Sequence, residues 1–177
     1  MSAEPSTAPF SPREAAALLR ASLDAIRGEA SALSDCAASW HPKAGEWCAK
    51  EVLGHLIEAD RRGFGGRIRQ FLAADNPACI GWDQDEVARG RSDCGKPVAG
   101  LLDELGKARA EGLAVVESLT TAGLSRGGEH PKVGRLTVSD ILHEWVHHDR
   151  NHLKQMMTNV QAYTWPHMGN AQRFSAP

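Results

Sequence analysis

Residues 136–160, LTVSDILHEWVHHDRNHLKQMMTNV, run without a single glycine or proline. Val138, Ile141, Leu142, Trp145, Val146, Leu153, Met156 and Val160 recur at helical spacing. At about 100° per residue they form one apolar stripe, so this stretch is an amphipathic helix with one face to a core. Thr137 followed by Asp140 matches a capping box with Asp in place of the usual Glu, and the helix starts there.

Four histidines ride on this helix as two i,i+4 pairs, His143/His147 and His148/His152. Such neighbours have Cβ atoms about 5–6 Å apart, close enough to grip one metal ion. The helical wheel separates the pairs. His143 and His147 fall on the water side, whereas His148 and His152 flank the apolar stripe and face a cleft between helices. His148/His152 is therefore the candidate ligand pair. Asp149 lies near the middle of the stripe. A carboxylate there needs a partner: the ring N–H of a ligand histidine, a backbone N–H, or an arginine.

Three more helices precede this one. Ser11-Pro12-Arg13-Glu14 is a helix start, with Ser as N-cap, Pro at N1 and Glu at N3. The helix it opens runs to about residue 32, with Leu18, Leu19, Leu23 and Ile26 on its buried side. The second spans about 46–73, with Val52, Leu53, Leu56, Ile57, Phe64, Ile68 and Phe71 inward. Gly63, Gly65 and Gly66 predict a kink or a close helix contact in its second half. The third covers about 98–119. Residues 74–96 form a long connection with a short helix near 83–89 and Trp82 as its anchor; links of this length often shape a site. The Gly-rich stretch 120–135 reads as turns, with no strand alternation anywhere. The tail after Gln161, carrying Trp165-Pro166, is expected to pack back on the bundle.

Four long amphipathic helices with a long connection between the second and third argue for an all-α four-helix bundle. The domain is expected over residues 11–177, behind a disordered segment 1–10. A chain of 177 residues with net charge −2 and scattered basic residues gives no phosphate-binding surface, so no nucleic acid partner is expected. No apolar run is long enough for a membrane span, and the N-terminus lacks a signal peptide. Cys36, Cys48, Cys79 and Cys94 show no CxxC spacing. They read as reduced thiols of a cytoplasmic protein rather than a disulfide framework or a thiolate zinc site.

His55 lies on the flank of the second helix's stripe, as His148 does on the last. His55, His148 and His152 thus become three flank histidines on two long helices. Three neutral imidazoles with an open position describe a catalytic-type zinc site, and nickel or iron accepts the same ligands. Glu51 and Glu58 flank His55, where each either orients a ligand, acts as a base or faces water. Cys48, about 10 Å along the axis from His55, is too far to share its ion. Trp47, Trp82 and Trp145 read as packing anchors. His41, His130 and His167 fall in loops or the tail.

GEWCAKEVLGHLIEAD (residues 45–60) resembles the second-helix motif of the DinB/YfiT-like proteins, a Trp opening the helix and a His two turns later. LTVSDILHEWVHHDRNHLKQ (136–155) resembles the family's last-helix motif, a Thr-led cap before H-[DE]-x-x-H-x-x-Q, matched by His148, Asp149, His152 and Gln155. His143 and His147 are outside that pattern and make an alternative pair. The resemblance implies a four-helix bundle of unusual connection and a divalent metal, zinc or nickel, on His55, His148 and His152. It implies homodimers and a small-molecule substrate too. Some relatives are thiol-dependent S-transferases, so it implies a low-molecular-weight thiol held by the metal and joined to an electrophile. Metal-assisted hydrolysis or isomerisation is the competing chemistry. A non-catalytic bundle acting in stress response, its histidines structural, is the reading from a different class.

Overall fold

A computed structural model describes residues 8–175. The elements in chain order are α1 (Pro12–Ser31), α2 (Asp35–Ala38), α3 (Ala49–Glu58), a π-helical stretch (Ala59–Phe64), α4 (Gly65–Ala73), α5 (Gln84–Arg91), α6 (Val98–Glu117) and α7 (Thr121–Leu124). A hairpin of β1 (Gly127–His130) and β2 (Gly134–Thr137) follows, then α8 (Val138–Thr164) and the short α9 (Gln172–Ser175). The second helix is continuous from α3 through the π stretch to α4. It, α1, α6 and α8 make an all-α four-helix bundle. Both α1 and the second helix pack against α6 and α8. The first two helices therefore stand across the bundle from each other.

The caps read from sequence are present. Ser11 and Glu14 close a capping box at α1, and Thr137 and Asp140 close one at α8. The second helix begins later than its periodicity predicts, because Glu51 accepts the Cys48 backbone N–H at 2.9 Å and makes Cys48 the N-cap. Trp47 thus lies in the turn before the helix. Its carbonyl accepts from Asn159 Nδ2 of α8 at 2.9 Å.

The core is two apolar halves. One gathers Leu19, Phe64, Ile68, Phe71, Val116 and Trp145; the other gathers Ile26, Leu53, Leu56, Leu105 and Met156. Between them lies a buried polar layer centred on Arg109, which is fully inaccessible to solvent. Its five N–H groups meet five acceptors. Nε and Nη2 donate to Asp60 at 2.7 and 3.2 Å, Nη1 and Nη2 to Asp149 at 2.7 and 2.9 Å, and Nη1 to the Leu19 carbonyl at 2.8 Å. Trp145 Nε1 donates to Asp60 as well, at 2.8 Å. All four long helices thus contribute to one hydrogen-bonded layer, and the partner that Asp149 requires is an arginine. Burial raises both carboxyls in pKa while the guanidinium pulls them down.

Two features let the helices close on this layer. The π turn carries Asp60, and the glycine after it, Gly65, meets Gly112 of α6; a methyl group there would stand 3.4 Å from Gly112 Cα. Gly112 itself leaves room for the Trp145 ring, into which any side chain would run. The glycines of the second helix mark this close contact and widened turn.

Two local expectations change. Residues 127–137 form an antiparallel hairpin, Gly127 opposite Thr137 and His130 opposite Gly134. Its glycines carry no alternation: a Cβ on Gly128 would collide with Phe71 and the Pro77 carbonyl, so the ladder is built where side chains do not fit. The tail coils into short turns with Trp165 and Phe174 exposed, and Tyr163, at the end of α8, packs edge-on to Trp40. Of the expected disordered segment, residues 1–7 lie outside the described residues, and Phe10 stacks on His143 at 5.3 Å.

The long connection is tied down at both ends. Cys79 N–H donates to the Glu129 carbonyl at 2.7 Å, next to the hairpin. At its far end Arg91 bonds Glu58, Asp93 and Glu104 at 2.8, 2.7 and 2.9 Å. No described helix is long and apolar enough to cross a membrane.

Removing one member of a buried ion layer leaves the others uncompensated, at a cost of about 3–5 kcal/mol. Arg109→Met is expected to lose stability on that scale in urea unfolding. The triple variant Asp60→Leu/Arg109→Met/Asp149→Leu, which removes every charge of the layer, recovers much of it. A single variant within about 1 kcal/mol of the parent contradicts the layer's structural role.

Candidate metal centre

Arg109 holds Asp149 of α8, and the adjacent His148, about 100° further round that helix, faces the second helix. His55, one turn and a residue before Asp60, meets it there. The Nε2 atoms of His55 and His148 stand 2.9 Å apart. His152, one turn after His148, completes the trio, with ring centroids 4.6 Å from His55 and 4.4 Å from His148. One ring nitrogen from each of the three lies within 4.8 Å of the others.

The tautomers are constrained. His152 Nδ1–H donates to Gln155 Oε1 at 2.8 Å, which leaves its Nε2 lone pair available. The Nδ1 atoms of His55 and His148 are buried and have no hydrogen-bond partner. Two imidazole nitrogens 2.9 Å apart cannot point lone pairs at each other without a proton or a cation between them. Charge on the rings is opposed by their surroundings. Burial first, then His152, lowers His55 to about 4. Burial, then His152 and His55, lowers His148 to about 2. Burial lowers His152 as well. Three neutral imidazoles that converge on one point are the donor set a divalent transition metal takes. In a tetrahedral site with metal–nitrogen bonds of about 2.0–2.1 Å the nitrogens sit about 3.3 Å apart, so small ring rotations suffice.

Aromatic rings wall the trio. Trp47 lies 4.9 Å from His55 and stacks on His152, Trp82 stacks on His55 at 5.9 Å, and Phe64 meets His148 edge-on at 5.0 Å. Trp82 belongs to the long connection, which thereby forms one side of the site. A cleft of about 750 Å³ opens beside His55 and His148, bordered by Trp82, Arg67, Lys132 and Glu144. A second, of about 590 Å³, opens beside His152, Trp47 and Gln155. Gln84 and Asp85, at the start of α5, border both.

The remaining sequence candidates have other partners. His147 is exposed, and His143 is half-buried: its Nδ1–H donates to the Ser139 carbonyl and its Nε2 accepts from the Phe10 N–H. Glu58 is buried rather than solvated, paired with Arg91 and Arg62. Glu51 caps Cys48 and contacts His41 at 2.9 Å. Trp145 is a fully buried anchor. Burial raises the Cys48 thiol, which suits a core residue and not a nucleophile. Arg109 and Asp60 are absent from the sequence candidates, yet both occupy core-facing positions, Arg109 one turn after Leu105 and one before Leu113.

The profile of the DinB superfamily matches residues 4–156, and the chain belongs to that family. Among solved structures it is similar to YfiT from Bacillus subtilis, described as a probable metal-dependent hydrolase with an unusual four-helix bundle topology. That match has a TM-score of 0.81 at 17% identity over 93% of this chain and 94% of the other. It is also similar to a mycothiol-dependent maleylpyruvate isomerase, with a TM-score of 0.66 and 10% identity, over 83% of this chain and 61% of the isomerase. No curated protein matches the chain in sequence. At these identities the solved structures establish the fold.

An unperturbed histidine is mostly cationic at about pH 5.5. In the metal-free protein, ring nitrogen NMR at that pH is expected to report neutral imidazoles for His55 and His148. A cationic signal from both contradicts the burial that lowers them.

Proposed function

We propose that the chain is a divalent-metal-dependent enzyme with His55, His148 and His152 as its ligands. It acts on a small electrophile with a low-molecular-weight thiol as co-substrate. The observation that carries this reading is the convergence of three neutral imidazoles beside an accessible cleft. A divalent ion on these residues supplies Lewis acidity and favours the deprotonated form of a thiol at neutral pH. Zinc and nickel both suit three imidazoles, and iron is compatible.

The protein's own groups would then bind and orient. Gln155 fixes the ring of His152, while Trp47 and Trp82 hold water away from one side. Arg67 and Lys132 place positive charge in the larger cleft, where an anionic substrate group would settle. The buried or half-buried carboxylates along the trio's two helices are otherwise engaged, Asp60 and Asp149 by Arg109, Glu58 by Arg91 and Glu51 by the helix cap, which leaves only the exposed Glu144 of those helices at the cleft. A thiol that loses its proton on binding needs no such base, which favours thiol transfer.

Hydrolysis is the second reading, and one residue favours it. Glu144, one turn before His148, is exposed and borders the same cleft, where a base for an attacking water would stand.

Elemental analysis of the purified chain tests the ligands. His148→Ala is expected to hold about one metal equivalent fewer than the parent. His143→Ala and His147→Ala should hold as much as the parent. Equal metal in parent and His148→Ala contradicts the proposal. Activity then separates the chemistries. Glu144→Gln should retain thiol transfer to an electrophile, whereas a hydrolase relying on Glu144 would lose about 10²–10⁴-fold in rate.

A further inference from the structure

A second group of metal-ligating side chains lies outside the trio, beside a cleft that Trp47 also borders. It draws on three separated segments. His41 comes from the connection after α2, Cys48 and Glu51 from the first turn of α3, and Cys94 from the turn before α6. One donor atom from each of the four lies within 4.8 Å of the others. Cys48 Sγ and Cys94 Sγ are 3.1 Å apart, Cys94 Sγ and His41 Nε2 3.8 Å, and His41 Nε2 and Glu51 Oε2 2.9 Å.

The surroundings make this a built arrangement rather than a chance meeting of surface groups. Cys48 is fully buried. The turn that carries Cys94 is fixed by Asp93, itself buried and bonded to Arg91 and Lys96. That turn reaches the second helix only because position 54 is glycine, where any side chain would strike the Asp93 carboxylate. Lys50, 4% exposed, directs its ammonium to the Cys94 carbonyl and to Asp35. A cleft of about 360 Å³, bordered by His41, Glu51, Trp47 and Arg89, gives access from solvent.

We propose that His41, Cys48, Glu51 and Cys94 form a second, structural site for a thiophilic divalent ion of the zinc class, distinct from the histidine trio. Two sulfurs, one imidazole and one carboxylate complete a tetrahedron and leave no open position, the hallmark of structural zinc. With bonds of about 2.3 Å to sulfur and 2.0–2.1 Å to nitrogen and oxygen, the tetrahedron's edges are about 3.3–3.8 Å, and the observed separations need to open or close by less than about 1 Å. Loading moves two protons, one from each thiol, to solvent. Neither the sulfurs nor the ion changes oxidation state. Two thiolates and a carboxylate against a divalent cation leave one negative charge, and the Lys50 ammonium, shared with Asp35, lies beside it at the Cys94 carbonyl.

The site has a place in the architecture. It staples the start of the second helix to the end of the long connection. The residue next to Cys48 is Trp47, whose ring packs on His55 and His152. A second ion here holds a wall of the first site. A disulfide between Cys48 and Cys94 would use the same two sulfurs but would not account for the approach of His41 to Cys94.

Cobalt(II) added to the reduced full chain under inert gas is the direct test, since thiolate ligation produces a near-ultraviolet charge-transfer band that imidazoles alone do not. The parent is expected to take up cobalt with that band. His55→Ala/His148→Ala should keep the band, which separates this site from the trio whatever the fate of the proposed enzyme. Cys94→Ser should lose it, and His41→Ala, at the exposed rim where folding is not at stake, should weaken cobalt binding about tenfold or more. Reduced parent protein that shows no thiolate band overturns the proposal, whether or not Cys48 and Cys94 oxidise to a disulfide in air. An unchanged band in Cys94→Ser overturns it as well.

Discussion

One guanidinium holds the bundle in register. Arg109 spends all five of its N–H groups on acceptors from the other three long helices, and none on water. A buried cation of this kind is tolerated only when every donor is met and opposite charge is close. Sliding any helix by one residue would leave a donor or a carboxylate unpaired. An apolar core at this level would accept several registers at similar energy; the polar layer accepts one.

The histidine trio follows from that register. Asp149 is the immediate neighbour of His148, and Asp60 lies five residues after His55. Fixing the two carboxylates on opposite sides of one guanidinium sets the second helix and α8 at a defined separation and rotation. The π turn at Ala59–Phe64 lets Asp60 face Arg109 while His55 and Phe64 on either side of it both line the site. The long connection, pinned at the hairpin and at Arg91, then lays Trp82 over His55. Local charge and distant chain thus act on the same three rings.

Much of this is legible in the residues. Capping boxes at Ser11 and Thr137 and uninterrupted apolar periodicity reveal the long helices, because both signals are local. The wheel phase separates His148 and His152 from His143 and His147, because side-chain direction on a helix follows position alone. Asp149 in the middle of an apolar stripe demands a partner, but which one is a tertiary fact. Arg109 carries the complementary signal, a charge within the stripe of α6, and the pairing becomes readable only when both anomalies are set side by side. The hairpin is illegible because its strands are glycine-rich and short. The grouping of His41, Cys48, Glu51 and Cys94 is illegible for another reason: its members come from three segments, so no spacing rule describes them.

The central claim is that the Arg109 layer positions the three histidines proposed as metal ligands. Zinc affinity of the site that depends on His148 should be compared between the parent and Arg109→Lys, under conditions where both are folded by circular dichroism. Lysine keeps the charge but loses the planar fork, so it leaves acceptors of the layer unmet. The account predicts an affinity loss of about tenfold or more in the folded variant, comparable to losing a group that orients a ligand. Unchanged zinc affinity in Arg109→Lys would show that the three histidines find their places without the layer.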